Sequence, residues 1–190
     1  MWALVESGSV SKTFTQPKQI TLGDIQYPSN IFTLWTSSEL EAIGIYEVVI
    51  NNTNYKDPEY YINTNQSFAF SGGTVTATYG TATARNLDDT TDDDGNVTRG
   101  LKYTHSSAVD DLAYSLLQPN DWMVVRNAES SKAIPSDWLD YRVAVRTAAS
   151  SMRTKINAVA NVDALAALYV YNDATPPVRP LGEWPTEPTS

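Results

Sequence analysis

At 190 residues, 42% of them hydrophobic and 18% charged, the chain is long enough to close one core or two small ones and apolar enough to fold. Its 13 basic and 22 acidic side chains leave a formal charge of -9, which repels polyanions and argues against nucleic acid as a ligand. The lack of cysteine removes disulfides, thiolate metal sites and cysteine nucleophiles together. No stretch approaches the ~18 apolar residues of a membrane span, and Met1-Trp2-Ala3-Leu4-Val5-Glu6 lacks the basic start of a secretion signal. The expectation is a protein made in the cytoplasm and not attached to a membrane.

Residues 1 to 85 read as a β-rich module of short strands. Trp2 to Glu6 and Val10 to Phe14 flank Ser7-Gly8-Ser9, where glycine supplies the positive φ of a tight hairpin. A further strand region covers Lys18 to Tyr27, is broken by Gly23-Asp24 and closes at Pro28. Ser38 and Glu41 have the spacing of a capping box, which predicts a short helix to Ile43 stopped by Gly44. Strands then follow at Ile45 to Ile50, Tyr60 to Asn63, Ser67 to Phe70 and Thr74 to Tyr79, the last two joined through Ser71-Gly72-Gly73.

Residues 86 to 100 carry five aspartates and almost nothing to bury, so they read as an acidic, solvated linker. From residue 101 the period changes to near 3.6, and a helical module is expected up to residue 172. Val109, Leu112, Ala113, Leu116 and Leu117 form one stripe, with Ser107 and Asp110 placed to cap its start and Pro119 to end it. A short helix from Trp122 to Glu129 comes next. The longest should run from about Asp137 to Ala160 behind a cap at Ser136, because Trp138, Tyr141, Val145, Ala148, Met152, Ile156 and Val159 recur at spacings of three and four. A last helix from Asp163 to about Tyr171 precedes Thr175-Pro176-Pro177. Residues 173 to 190 should form an extended, proline-rich tail. The whole predicts an α+β chain with a C-terminal antiparallel helical hairpin or small bundle.

Chemistry has few footholds in this sequence. The one histidine, His105, lies between Thr104 and Ser106 with no glycine-bounded serine elbow, and reads as a surface residue near a helix start. Asp88 to Gly100 invites a calcium reading, yet with Gly95 placed sixth the first ligand position is Thr90 and the twelfth Leu101, so the register fails. No phosphate-cradling glycine loop or His-Glu-x-x-His occurs. No catalytic, cofactor-binding or metal-binding residue is therefore assigned, and the chain is expected not to be an enzyme and to hold no cofactor.

Docking is the better-supported use of these side chains. Trp2, Trp35, Trp122 and Trp138 read as core anchors, whereas Trp184, followed by Pro185 and outside any helix, gains free energy only by docking on its own domain or on a partner. On the long helix the seam residues Trp138, Tyr141 and Val145 are candidates for contact. Arg142 and Arg146 read as a solvated face that meets Asp137 or Asp140, or reaches another chain. Alanines at 148, 149, 158 and 160 suit close helix approach, so a homo-oligomer is expected.

Three groups of residues carry a resemblance. Leu116-Leu117-Gln118-Pro119-Asn120-Asp121-Trp122, with Val125-Arg126, Glu129, Ile134-Pro135 and Trp138-x-x-Tyr141-Arg142-x-x-x-Arg146, resembles the C-terminal helical segment of small tail proteins of tailed bacteriophages. Gly182-x-Trp184-Pro185-x-x-Pro188 is similar to their Trp-Pro ending. The opening, with Gly23 to Pro28 and Gly44 to Val48, resembles N-terminal modules of such proteins. The resemblance implies a virion structural protein of the tail, associated with the tail fibre or baseplate, that docks on other tail proteins. It equally covers tail-fibre assembly chaperones, and a carbohydrate-binding module using Trp35 and the tyrosines of the β half is the alternative from another class.

Overall fold

A computed structural model describes residues 1–189. The chain is α+β and forms two compact units, the first spanning Met1–Thr83 and the second running from Ala84 to the end of the described chain.

In the first unit the strands are β1 (Trp2–Glu6), β2 (Ser9–Phe14), β3 (Ile20–Leu22), β4 (Ile25–Tyr27), β5 (Ile45–Asn51), β6 (Tyr61–Ile62), β7 (Gln66–Ser71) and β8 (Thr74–Tyr79), with α1 (Ile31–Leu34) and α2 (Ser37–Ala42) before β5. Five of them make one sheet in the order β2-β1-β5-β8-β7, antiparallel except for the parallel β5–β8 pair. Both expected hairpins form. Their two-residue loops hold positive φ at Ser7 (52°) and Gly8 (77°), and at Gly72 (57°) and Gly73 (80°), the conformation that matches the twist of paired strands.

Leu4 pairs with Lys12 but Val5 with Val10, leaving Ser11 as an extra residue that bends β2. The sheet curls until its edge strands β2 and β7 touch. Inside the curl lie Ala3, Val48, Val75 and Ala77, closed over by Val10 of β2 and by Phe68 and Phe70 of β7. The outer face is buried by α1, α2 and the β3–β4 hairpin, which bring Phe14, Ile20, Ile31, Phe32 and Leu40 onto Leu4 and Ile45.

One element of this unit is not among those expected, and one local reading needs correction. The single turn of α1 after Pro28-Ser29-Asn30 has too few residues to show a period, and its Ile31 and Phe32 are held by burial. The capping box of α2 is Thr36 with Glu39, not Ser38 with Glu41: the Thr36 N–H donates to Glu39 Oε2 at 2.7 Å and the Glu39 N–H to Thr36 Oγ1 at 3.4 Å. Both pairs fit the pattern. The upstream one lets the helix start at Ser37 and lay Leu40 on the sheet.

The division between the units falls within the two-residue strand β9 (Thr83–Ala84), and the second unit holds the remaining elements. It contains β10 (Thr90–Thr91), β11 (Val97–Thr98), α3 (Leu101–Leu117), a 3-10 turn at Gln118–Asn120, α4 (Asp121–Ser130), α5 (Ser136–Ala158) and α6 (Val162–Ala167). Helix α3 packs along α5. The pairs Asp110–Arg153 and Leu117–Arg142 show the two to be antiparallel, as a hairpin requires. Their facing rows are Leu101, His105, Val109 and Ala113 on one helix and Tyr141, Val145, Ala149, Met152 and Ile156 on the other. The expected stripe position Leu112 is 44% exposed.

The acidic stretch does not merely connect. Asp92 builds the β10–β11 turn by accepting the Asn96 N–H at 2.8 Å, the Asn96 amide at 2.9 Å and the Asp94 N–H at 3.1 Å. Residues 86–89 wrap the start of α3: the Leu101 and Lys102 N–H groups donate to the carbonyls of Asn86 and Leu87, each at 2.9 Å, and the Gly100 N–H donates to Asp89 Oδ1 at 2.8 Å. These tertiary acceptors satisfy the helix's first donors, so α3 begins at Leu101 rather than at the expected Ser107–Asp110 cap. The wrap is tight. A Cβ on Gly100 would stand 2.4 Å from the Asp88 carbonyl.

Helix α5 starts at Ser136 behind Pro135, one residue before the expected Asp137, and ends at Ala158. Asn161 caps α6 by accepting the Ala164 N–H at 2.8 Å, and that helix stops at Ala167, short of the expected Tyr171. The tail folds back on this unit: Leu181 is 2% exposed, its N–H donates to the Leu168 carbonyl at 2.9 Å, and Lys155 Nζ donates to the carbonyls of Pro180 and Leu181 at 2.8 and 3.1 Å.

Two outcomes test this account. Gly44 has φ +80°, and a Cβ there would meet the Val5 carbonyl oxygen at 2.9 Å. Gly44→Ala should therefore cost roughly 1–3 kcal/mol in urea unfolding of the full chain. The Gly100 N–H and the Arg99 guanidinium hold the Asp89 carboxyl below its ordinary 3.8. A lowered folded value means stability fully present above the ordinary 3.8 and lost as pH falls from there through the lower value of the folded state. Asp89→Ala should lower the melting temperature at pH 7, and the gap to wild type should close on acidification below about pH 4.

Candidate functional site

Helix α3 carries His105 in its second turn, in line with Leu101 and Val109, so the surface reading of this histidine is wrong. It is 7% exposed and its Nδ1 lies 2.8 Å from Tyr169 Oη. The reason is the early helix start: a helix beginning at Ser107 would have left residue 105 outside. Among the described residues no group of three His, Cys, Asp or Glu side chains is placed to hold a metal.

Arg142 also departs from its expected place. It is 4% exposed, at the corner where α3 gives way to α4. Its Nη1 donates to the Leu117 carbonyl at 3.1 Å and to Asn120 Oδ1, and its Nη2 pairs with Asp121 Oδ1 at 2.6 Å. Neither Asp137 nor Asp140 is its partner. A guanidinium must keep its charge, so a position on the covered side of α5 is tolerated only because three acceptors from the corner converge on it. Tyr141 and Val145, on the same side, are 5% and 0% exposed and belong to the helix contact rather than to a surface open to partners. Burial, and then the Glu187 carboxylate, push the Tyr141 phenol above its ordinary 10.0. Trp138 is half-buried and meets the Tyr141 ring edge-on, with centroids 6.0 Å apart.

Arg146 stays at the surface, its Nη1 reaching only the Arg142 carbonyl at 3.4 Å. Trp184 and Pro185 lie against the chain's own α5, where they and Asp140, Val143, Ala144 and Thr147 line an open groove of about 490 Å³. Of the seven candidate contact residues, Arg146 is exposed, Trp138, Trp184 and Pro185 are half-buried, and Tyr141, Arg142 and Val145 are buried.

The helix expected over Trp122 to Glu129 forms as α4, and the feature missed in the sequence is the exposure of this helix. None of its ten residues is buried, and Trp122, Val124 and Val125 are 54%, 41% and 54% exposed. Trp122 is thus no core anchor. The Arg126 guanidinium sits over its ring, 4.7 Å from the centroid, with Nε shielded from solvent and without a hydrogen-bond partner. One signal was available: Trp122-Met123-Val124-Val125 are consecutive, so they point around the whole helix and no single contact could cover them. The first unit presents a second apolar surface, where Trp35, 36% exposed, meets the Tyr27 ring edge-on at 5.8 Å beside Leu34, which is 74% exposed.

Comparison of the chain with protein-family models, with curated proteins and with solved structures gives no match. No helix among the described residues is long and apolar enough to cross a membrane.

The Arg142 corner makes a direct test. Arg142→Lys keeps the charge but loses the fork that reaches Leu117, Asn120 and Asp121 together, and should cost roughly 1–3 kcal/mol in thermal or urea unfolding.

Proposed function

We propose that this chain is a non-enzymatic structural protein of a tailed phage's tail, associated with the fibre or baseplate, that works by docking on other proteins and is made in the host cytoplasm. The observation that carries the docking part is α4, a helix with no buried residue that presents a tryptophan and two valines to solvent. A helix of this length is marginal in water, and its apolar side chains gain free energy only when something covers them. The groove shared by α5 and the Trp184-Pro185 tail adds a second shaped surface. The assignment to a phage tail rests on the resemblance of the 116–146 segment and of the Trp-Pro ending.

Mass spectrometry of purified phage particles should find this chain, and it should co-purify with neighbouring tail proteins. Its absence from particles, together with binding to a folding fibre, would move the reading to an assembly chaperone. The exposed Trp35 ring beside Tyr27 favours one alternative, a carbohydrate-binding face, since apolar sugar faces stack on such rings. Glycan-array binding lost in Trp35→Ala would establish that alternative.

A further inference from the structure

We infer that the groove between α5 and the C-terminal tail seats a basic segment of a partner protein, one arginine or lysine of which rests on the Trp184 ring. This rests on the docking reading and gives the chemistry of the partner that the groove takes.

Asp140, Val143, Ala144, Thr147, Ala148 and Ser151 line the groove from α5, and their spacing of three and four places them in one row along the helix. The side bearing Tyr141, Val145, Ala149 and Met152 is taken by α3, so this row is a separate side of the same helix. The facing wall is the tail, which runs back along α5. Lys155 Nζ holds the carbonyls of Pro180 and Leu181, while the Glu187 carboxylate acts on Tyr141. Buried Leu181 and the Lys155 clamp anchor the tail just before Trp184, and Pro185 restricts the Trp184 backbone to extended conformations. The ring is thus held in place before anything binds.

Charge and ring chemistry choose the occupant. Both ionisable groups in the lining, Asp140 and Glu183, are acids, whereas Arg146 and Lys155 line the neighbouring groove. Glu183 is shared with Arg179 at 3.5 Å, but Asp140 has no ion-pair partner among the described residues. Tryptophan is the best aromatic ring for a cation. Arg126 covers the ring of Trp122 and Arg179 lies over Tyr169 and Tyr171, yet among the described residues no cation of the chain lies over Trp184. An arginine or lysine entering the groove gains the ring face and the carboxylates, and its aliphatic stem covers Val143, which is 54% exposed. An acidic partner meets repulsion here. A neutral sugar would stack on Trp184 but leave Asp140 unused.

The test is titration of the full chain with a capped peptide carrying one arginine between two leucines. The readout is the indole N–H signal of Trp184, identified by its loss in Trp184→Phe. That signal should shift and saturate. The same peptide with uncharged citrulline in place of arginine should bind about fivefold or more weakly. Asp140→Asn, a change at an exposed position outside the α3–α5 contact, should weaken the arginine peptide about threefold. Equal binding of the two peptides, indifference to Asp140→Asn, or an unmoved Trp184 signal overturns the inference. So does a signal that moves only with a neutral oligosaccharide, or on dilution of the chain alone, which would make a sugar or a second copy the occupant. If the arginine peptide leaves Trp184 unmoved while neighbouring tail proteins still co-purify, only the groove assignment fails and the docking reading stands. If the peptide binds as expected but particles lack the chain, only the tail assignment fails.

Discussion

A buried guanidinium obliges its surroundings to supply acceptors, and Arg142 draws them from three successive pieces of chain: the last residue of α3, the 3-10 turn and the first residue of α4. That one side chain fastens α5 to the corner where the helical path turns. With the corner held there, the side of α5 bearing Tyr141, Val145 and Met152 is taken up by α3, and α4 leaves the corner without burying any of its residues. The surface available for docking follows from where Arg142 finds its partners.

The acidic residues divide along similar lines. Asp88, Asp89 and Asp92 lie in the most acidic stretch, but their oxygens are engaged with Lys102, with the Arg99 side chain and Gly100 N–H, and with the β10–β11 turn. A run that looks like spare charge is largely the cap of α3 and a turn. Around α4 and the start of α5 the balance is different, because both signs are present there in equal number.

The proposed assignment to a phage tail and the geometry of the chain bear on different questions. The motif Leu116 to Trp122 spans the end of α3, the turn and the start of α4, so it is the Arg142 corner seen from the sequence side. Its Pro119, Asn120 and Asp121 serve a structural role, and Trp122, at its end, is the residue left outside.

By itself the sequence determined the α+β order, the two hairpins, the antiparallel helices and the lack of any membrane-length apolar run. Those signals arise between near neighbours: the φ freedom of Gly8, Gly72 and Gly73, the alternation of β8, and the spacing of Tyr141, Val145, Met152 and Ile156. Only the tertiary structure decided where α3 starts, that His105 and Arg142 are inside, that Trp122 is outside and that Trp184 lies on α5. Each of these depends on a partner far along the chain: Asp89 meets Gly100 across 11 residues, Arg142 meets Asp121 across 21 and His105 meets Tyr169 across 64. Periodicity shows that a helix has an apolar stripe, but covering that stripe, and satisfying the polar groups beside it, is settled by whichever distant segment packs there.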